Sequence, residues 1–308
     1  MKNKRLWADI ALLVCALIWG ATFVVVKDAL RDVSVFVYVA VRFGLSAAIM
    51  AAVFWRELRV ATSRAWWAGA QIGFFMFGGY AFQTAGLKLT TPSKAAFITG
   101  SSVVLVPIIL AACGLRKITA WIWAGAISAL AGLYLLTIPA EGLGGLNRGD
   151  PIVFLGAIMF ALHIIFIARY VEHHSVGALA SAQIATTALL ATIFIPILGR
   201  LNWEHPHWAW TSNLIFAVLI TSIGSTVIGF SFQVWAQQYA SPTHTAIFIS
   251  LEPVFAVLTS LLLGAEHLGS RVLIGAALIL AGILLAELKS PAPAAPESPE
   301  PIAPSNEG

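Results

Sequence analysis

Ser241-Pro-Thr-His-Thr-Ala-Ile-Phe-Ile-Ser-Leu-Glu-Pro-Val-Phe255 is the stretch on which the fold turns. It opens at a proline, runs apolar, and reaches Glu252 followed at once by Pro253. Ten residues separate Pro242 from Glu252, about 15 Å of helix at 1.5 Å per residue, which sets the acid near mid-bilayer. An ionisable group at that depth is costly and marks a site by default. A proline beside it frees backbone carbonyls that need partners in protein or in a wet cavity. The stretch also has an echo, Thr91-Pro-Ser-Lys-Ala-Ala-Phe-Ile98, with Pro242 lying 150 residues after Pro92.

The echo extends in both directions. Gly79, Phe82 and Gln83 recur as Gly229, Phe232 and Gln233, with Tyr80 opposite Phe230. Gly125-Ala126 and Leu130-Ala131-Gly132 recur as Gly275-Ala276 and Leu280-Ala281-Gly282, at the same 150-residue offset. Nearer the start the offset is 141: Asp9, Ala16, Trp19 and Gly20 face Asp150, Ala157, Phe160 and Ala161. A longer loop around Asn202 to Thr211 absorbs the difference.

Composition assigns the class. Of 308 residues, 59% are hydrophobic and 10% charged, against about 25% charged in soluble domains. Apolar runs of about 20 residues, enough to cross a hydrocarbon core, recur along nearly the whole chain. The expected fold is an all-α polytopic membrane protein. Ten transmembrane helices are predicted at about 8–26, 35–55, 66–87, 93–113, 119–138, 150–170, 176–198, 212–236, 243–264 and 270–288. The first is read as an uncleaved helix, because Lys27-Asp28 closes it with no small-residue cleavage pattern. Cys15 and Cys113 lie in separate apolar runs and form no disulfide framework.

Each half holds five spans, an odd number, so the two must cross in opposite senses. This predicts a 5+5 inverted repeat, 1–140 and 141–289, followed by a disordered Pro/Ala-rich tail at 290–308. In the first half Lys2, Lys4, Arg5, Arg56, Arg59, Arg64, Arg116 and Lys117 fall on the N-terminal side, against Lys27, Arg31, Lys88 and Lys94. Positive-inside counting puts both termini in the cytoplasm. Trp7, Trp55, Trp66, Trp67, Trp121, Trp123 and Trp235 fall at predicted inner ends, and Trp203, Trp208 and Trp210 in the outer loop, as aromatic belts do.

The residues that carry a family resemblance are Ile18-Trp19-Gly20 with Thr22, Arg42-Phe43, Leu251-Glu252-Pro253-Val254-Phe255, and Gly264-Ala265-Glu266. Over about 8–288 the chain resembles the drug/metabolite transporter superfamily, in its EamA branch of ten-helix permeases. The resemblance implies the inverted repeat, cytoplasmic termini, and transport, often export, of amino acids or other small metabolites. Two departures stand out: Arg116 occupies the place of Glu266, and Ser102 that of Glu252.

Each candidate has a functional and a structural reading. Glu252 is either a substrate-facing or proton-carrying carboxylate, or a buried acid bonded to helix ends that Pro253 exposes. Arg42 costs about 2.5–3.5 kcal/mol at a helix centre; near the outer end of its span it snorkels outward or caps a neighbouring helix. Trp19 and Thr22 share a helix face, where a cavity or a packed neighbour serves the indole N–H. His163 stands in the place of Thr22, as a binding or titrating group or as a satisfied core histidine. Tyr80, Gln83, Gln233, Ser101 and Ser102 belong to the expected substrate pathway or bond between helices, at about 0.6 kcal/mol each. Pro92, Pro107, Pro242, Pro253 and Glu266 are read as hinge or structural residues. His173-His174 and Glu204-His205-Pro-His207 lack further ligands at metal-site spacing and read as solvated loops.

The expected function is a secondary transporter of the inner (plasma) membrane, moving a small metabolite such as an amino acid, in the export direction, by alternating access between the two repeats. A flippase for a lipid-linked headgroup is the alternative. An intramembrane enzyme ranks below both, since the spans carry no catalytic constellation. No phosphate-binding Gly-x-x-x-x-Gly-Lys loop occurs. The expected partners are the small-molecule substrate and the lipid bilayer, with no nucleic acid, no metal and no cofactor. Proton coupling through Glu252 or His163 and facilitated diffusion both fit, as do a monomer and a homodimer.

Overall fold

The computed structural model describes residues 2–87, 89–90, 92–138, 141–142, 145–262 and 269–288; Glu266 and the 290–308 tail lie outside the described residues. These residues form fourteen α-helices and one π-helical segment, and no strand beyond a lone bridge between Val33 and Trp208. In order they are α1 (Lys2–Ala29), α2 (Val35–Val53), α3 (Trp55–Val60), α4 (Ser63–Leu87), α5 (Pro92–Gly100), α6 (Ser102–Ala112) and α7 (Ala120–Thr137). Then follow α8 (Asp150–Tyr170), α9 (Val176–Arg200), α10 (Ser212–Ile220), the π-segment (Thr221–Ile228), α11 (Gly229–Ala236), α12 (Pro242–Ile249), α13 (Glu252–Leu262) and α14 (Ser270–Leu288). Among the described residues, seven helical stretches are long and apolar enough to cross a membrane by length and composition. The chain is a multi-pass membrane protein. Trp7, Trp55, Trp67, Trp121, Trp203 and Trp210 are exposed, alongside outward Leu, Ile and Phe side chains that suit lipid contact.

Helix starts follow local chemistry. Thr119, Ser175 and Thr211 accept from the backbone N–H three residues on, as N-caps do. Pro242 sits in the first turn of α12, where its missing N–H costs nothing, so it starts a helix instead of bending one. The interruptions fall elsewhere. The stretch expected as one span over 93–113 is broken at Ser101, and that over 243–264 at Ser250-Leu251. At each break a serine hydroxyl turns back onto the carbonyl three residues earlier, Ser101 onto Ile98 at 2.5 Å and Ser250 onto Ile247 at 2.6 Å. Pro107 lies within α6, away from the break.

Two helix starts are capped from a distance. Glu204 accepts from the N–H groups of Val35 and Phe36, both at 3.0 Å, at the start of α2. Glu57 accepts from Gly177 N–H at 2.9 Å at the start of α9. The expectation that the 204–207 loop is merely solvated is thus corrected: its carboxylate satisfies N–H groups that a helix start leaves open. Among the described residues no metal cluster of His, Cys, Asp and Glu forms.

Small residues set the closest helix approaches. A Cβ at Gly125 would lie 2.7 Å from Gly282 O, and one at Gly275 would lie 2.7 Å from Gly132 O. Ser128 donates to Leu278 O at 2.8 Å between these contacts. The numbers fall along α14 as they rise along α7, so the two helices run antiparallel. Their partners are interchanged at the 150-residue offset, as a two-fold relation requires. The main apolar core joins α2, α4 and α9 through Phe43, Met50, Ile72, Met76, Leu179 and Ile184. A second gathers Leu12, Ile247 and Ile279 from α1, α12 and α14.

Candidate functional site

Both broken helices resume at one cavity. Ser102, the first residue of α6, and Glu252, the first of α13, line a space of about 420 Å³. Trp19 and Thr22 of α1, Arg42 of α2, Tyr80 and Gln83 of α4, His163 of α8, Gln233 of α11 and Pro253 line it too. The lining runs from the helix breaks to Leu30 and Val35, where α1 ends and α2 begins. At the opposite end, Ala8, Leu12 and Cys15 of α1 are buried in packed protein. Of the residues expected in the pathway, Ser101 is absent from the wall, its hydroxyl spent on Ile98 O. Pro107 and Pro242, expected as hinge or structural residues, lie outside the wall.

The cation in this wall is Arg42. It does not reach the outer surface; it is 4% exposed and turned inward. Its Nε donates to Thr226 Oγ1 and its Nη2 to Ser225 Oγ, each at 2.8 Å. Its guanidinium lies 5.4 Å from the Tyr80 ring centre and 5.3 Å from that of Phe43, within cation–π range. The partners come from the π-segment, whose hydroxyls are stitched to α2. Tyr38 and Thr221 hydroxyls meet at 2.9 Å, Ser222 Oγ donates to Arg42 O at 3.1 Å, and Ser46 Oγ to Ser222 O at 3.1 Å. π-helical turns are rare and concentrate at functional sites. Hydroxyls satisfy the guanidinium without neutralising it, so its positive charge remains for the cavity.

Glu252 supplies a carboxyl group to the same wall. Its position beside α1 is fixed by contact at Gly20, where an added Cβ would meet Glu252 O, Ala256 N at 2.8 Å and Phe255 Cβ at 3.0 Å. The same wall carries aromatic rings. Trp19 packs on Phe230 at 5.1 Å and Tyr80 on Phe160 at 5.4 Å between ring centres. Trp19 Nε1 donates to Ser225 O at 2.8 Å, so the indole N–H has a protein partner. The Thr22 hydroxyl donates to Ile18 O at 2.8 Å within its own helix.

The polar amides differ in their freedom. Gln83 Nε2 donates to Thr99 Oγ1 at 3.0 Å. Gln233 Oε1 is buried without a hydrogen-bond partner among the described residues. His163 Nε2 and Gln183 Oε1 meet at 2.9 Å, which satisfies the imidazole while its ring still borders the cavity. Gln183 stands 141 residues after Arg42, in the corresponding place. Sequence reasoning missed Tyr38, Thr84, Thr99 and Ser225 as wall residues. The run Thr221-Ser222, Ser225-Thr226 inside an apolar span was the available signal, since hydroxyls at that depth need partners.

The sequence matches the EamA-like transporter family over residues 6–138 and again over 147–288. The chain belongs to that family. Among curated relatives, an uncharacterized transporter of Archaeoglobus fulgidus is 34% identical over 288 residues, covering 93% of this chain and 87% of its own length. The uncharacterized transporter YyaM of Bacillus subtilis is 26% identical over 299 residues, covering 92% and 94%. A solved crystal structure, 21% identical, aligns over 91% of this chain and 96% of its own with a TM-score of 0.77, and so shares the fold. This family member is a transporter by family and by the names of its relatives.

Proposed function

We propose that this EamA-family protein is a secondary transporter of the cell inner membrane that exports a small zwitterionic metabolite, such as an amino acid, by alternating access. The observation that carries the reading is that one cavity is lined by Arg42, Glu252 and the aromatic rings of Trp19, Tyr80, Phe160 and Phe230. A carboxylate group pairs with the guanidinium fork, an ammonium group with Glu252, and an apolar side chain with Trp19, Tyr80, Phe160 and Phe230. Arg suits this task because two parallel N–H groups match a carboxylate.

In this reading ten spans form two inverted units, 1–140 and 141–289, with both termini in the cytoplasm. Two consecutive family matches and the interchanged α7–α14 contacts support it. The cavity then lies near the midplane between units, where inverted-repeat transporters hold substrate. Its lining reaches the outer end of α1 while the inner end is packed, so this conformation faces outward.

Exchange of labelled amino acids across proteoliposomes tests the proposal. At least one zwitterionic amino acid should exchange, and Arg42→Gln and Glu252→Gln should each abolish that exchange. A screen in which no amino acid moves, or variants that exchange at the parental rate, would refute it.

A further inference from the structure

Gln83 of α4 and Gln233 of α11 occupy corresponding places in the two halves, 150 residues apart, and both line the cavity. They are not equally satisfied. Gln83 Nε2 donates to Thr99 Oγ1 on α5 at 3.0 Å. The residue 150 after Thr99 is Ile249 on α12, which lines the cavity as Thr99 does but offers no hydrogen-bonding side-chain atom. Gln233 is 1% exposed, and its Oε1 has no hydrogen-bond partner among the described residues. A buried polar atom left unpaired is destabilising, and on a residue that borders a cavity it points to a ligand. An amide whose oxygen is unclaimed is not locked in one orientation, so it can present either its oxygen or its NH2 group to the cavity.

Along α11, Gln233 lies away from the charged groups. Arg42 is bonded to Ser225 and Thr226, and Thr226 precedes Gln233 by seven residues, roughly 10 Å of helix. Glu252 sits against Gly20 of α1. Cys15 Sγ donates to Gly229 O at 3.1 Å, and an added Cβ at Gly229 would lie 2.7 Å from Trp19 Nε1, so α11 passes the Cys15–Trp19 stretch before it reaches Gln233. Phe230, three residues before Gln233, packs on Trp19 and Phe43 with ring centres 5.1 and 6.4 Å apart. An aromatic ring therefore stands, along the helix, between the level of Arg42 and that of Gln233.

We propose that Gln233 determines specificity at the far end of the substrate. Its amide pairs with a neutral hydrogen-bonding side chain, a carboxamide or a hydroxyl, of an amino acid whose charged end is held by Arg42 and Glu252. This rests on the zwitterion reading above and narrows it. Phe230 covers the aliphatic part of that side chain, and the Gln233 amide meets its polar tip. The tip is neutral because an amide matches a donor or an acceptor but cannot neutralise a charge. A site built around a buried hydrogen-bonding group rejects an apolar analogue of the same shape, since binding it leaves that group unpaired.

The test compares near-isosteric amino acids, asparagine with leucine and threonine with valine, in proteoliposome exchange at low concentration. The parent should exchange the polar member of each pair roughly tenfold faster, the effect of one buried hydrogen bond, and Gln233→Met should bring the ratio close to one. Because the ratio is taken within one sample, the amount of folded protein cancels. Thermal unfolding without substrate supplies a second readout: Gln233→Met removes an unpaired buried polar group and should raise the midpoint. A lowered midpoint would show that the amide already serves a structural bond, and overturns the inference even where the variant transports nothing. Equal exchange of both members by the parent, or an unchanged ratio in Gln233→Met, overturns it and leaves the zwitterion reading standing. Exchange of no amino acid overturns both.

Discussion

Gly20→Ala tests how the cavity is held at its acidic end. The added methyl would lie 2.8 Å from Ala256 N, 3.0 Å from Phe255 Cβ, and against Glu252 O. Heavy atoms rest at about 3.5 Å, so α1 and α13 must part by roughly 0.7 Å at their crossing. Backbone on both sides cannot rotate away as a side chain would, and overpacking of this kind costs about 1–3 kcal/mol. The displacement falls on the first turn of α13 and carries Glu252 away from Trp19 and Arg42. Gly44→Ala on α2 is the control, because a Cβ there meets nothing within 4 Å. Thermal unfolding of the purified protein in detergent should show a lowered midpoint for Gly20→Ala and none for Gly44→Ala. Amino-acid exchange should fall only in the first. If Gly20→Ala unfolds and transports like Gly44→Ala, the close crossing does not position Glu252 and the reasoning fails.

Glu204→Ala removes two hydrogen bonds from the start of α2, and Glu57→Ala one from the start of α9. Loss of a cap costs about 0.5–2 kcal/mol, so each should lower the unfolding midpoint, Glu204→Ala more than Glu57→Ala. Equal stability of both variants with the parent would show the caps to be idle. Glu141→Cys, exposed after α7, should react with an impermeant thiol reagent from the outside only, in a Cys113→Ser background. Reaction from the cytoplasm would invert the proposed topology.

Much of the helical order was legible along the chain. The predicted 150–170, 176–198 and 212–236 spans match α8, α9 and the α10–α11 stretch within two residues at each end. Apolar run length and flanking Ser, Thr and Pro set those bounds. The break at Ser250-Leu251 was legible, since it falls just before Pro253, which has no N–H to continue the helix. The break at Ser101 was not: Pro92 starts α5, Pro107 lies within α6, and at the break the Ser101 hydroxyl bonds back to Ile98 O.

The sequence by itself determined that apolar helices fill the membrane, that their pattern recurs at 150 residues, and that Glu252 falls inside one of the apolar runs. Those features depend on spacing along one chain, which is read without knowing any neighbour. The tertiary structure decided where polar side chains point. Arg42 could have reached the surface, and was turned inward because the π-segment of a span 180 residues away brought Ser225 and Thr226 to 2.8 Å. Glu204 could have stayed in solvent, and was drawn to the open N–H groups of α2. A buried charge takes whichever partner packing delivers, and packing is settled by how helices rotate about their axes, which no single span records.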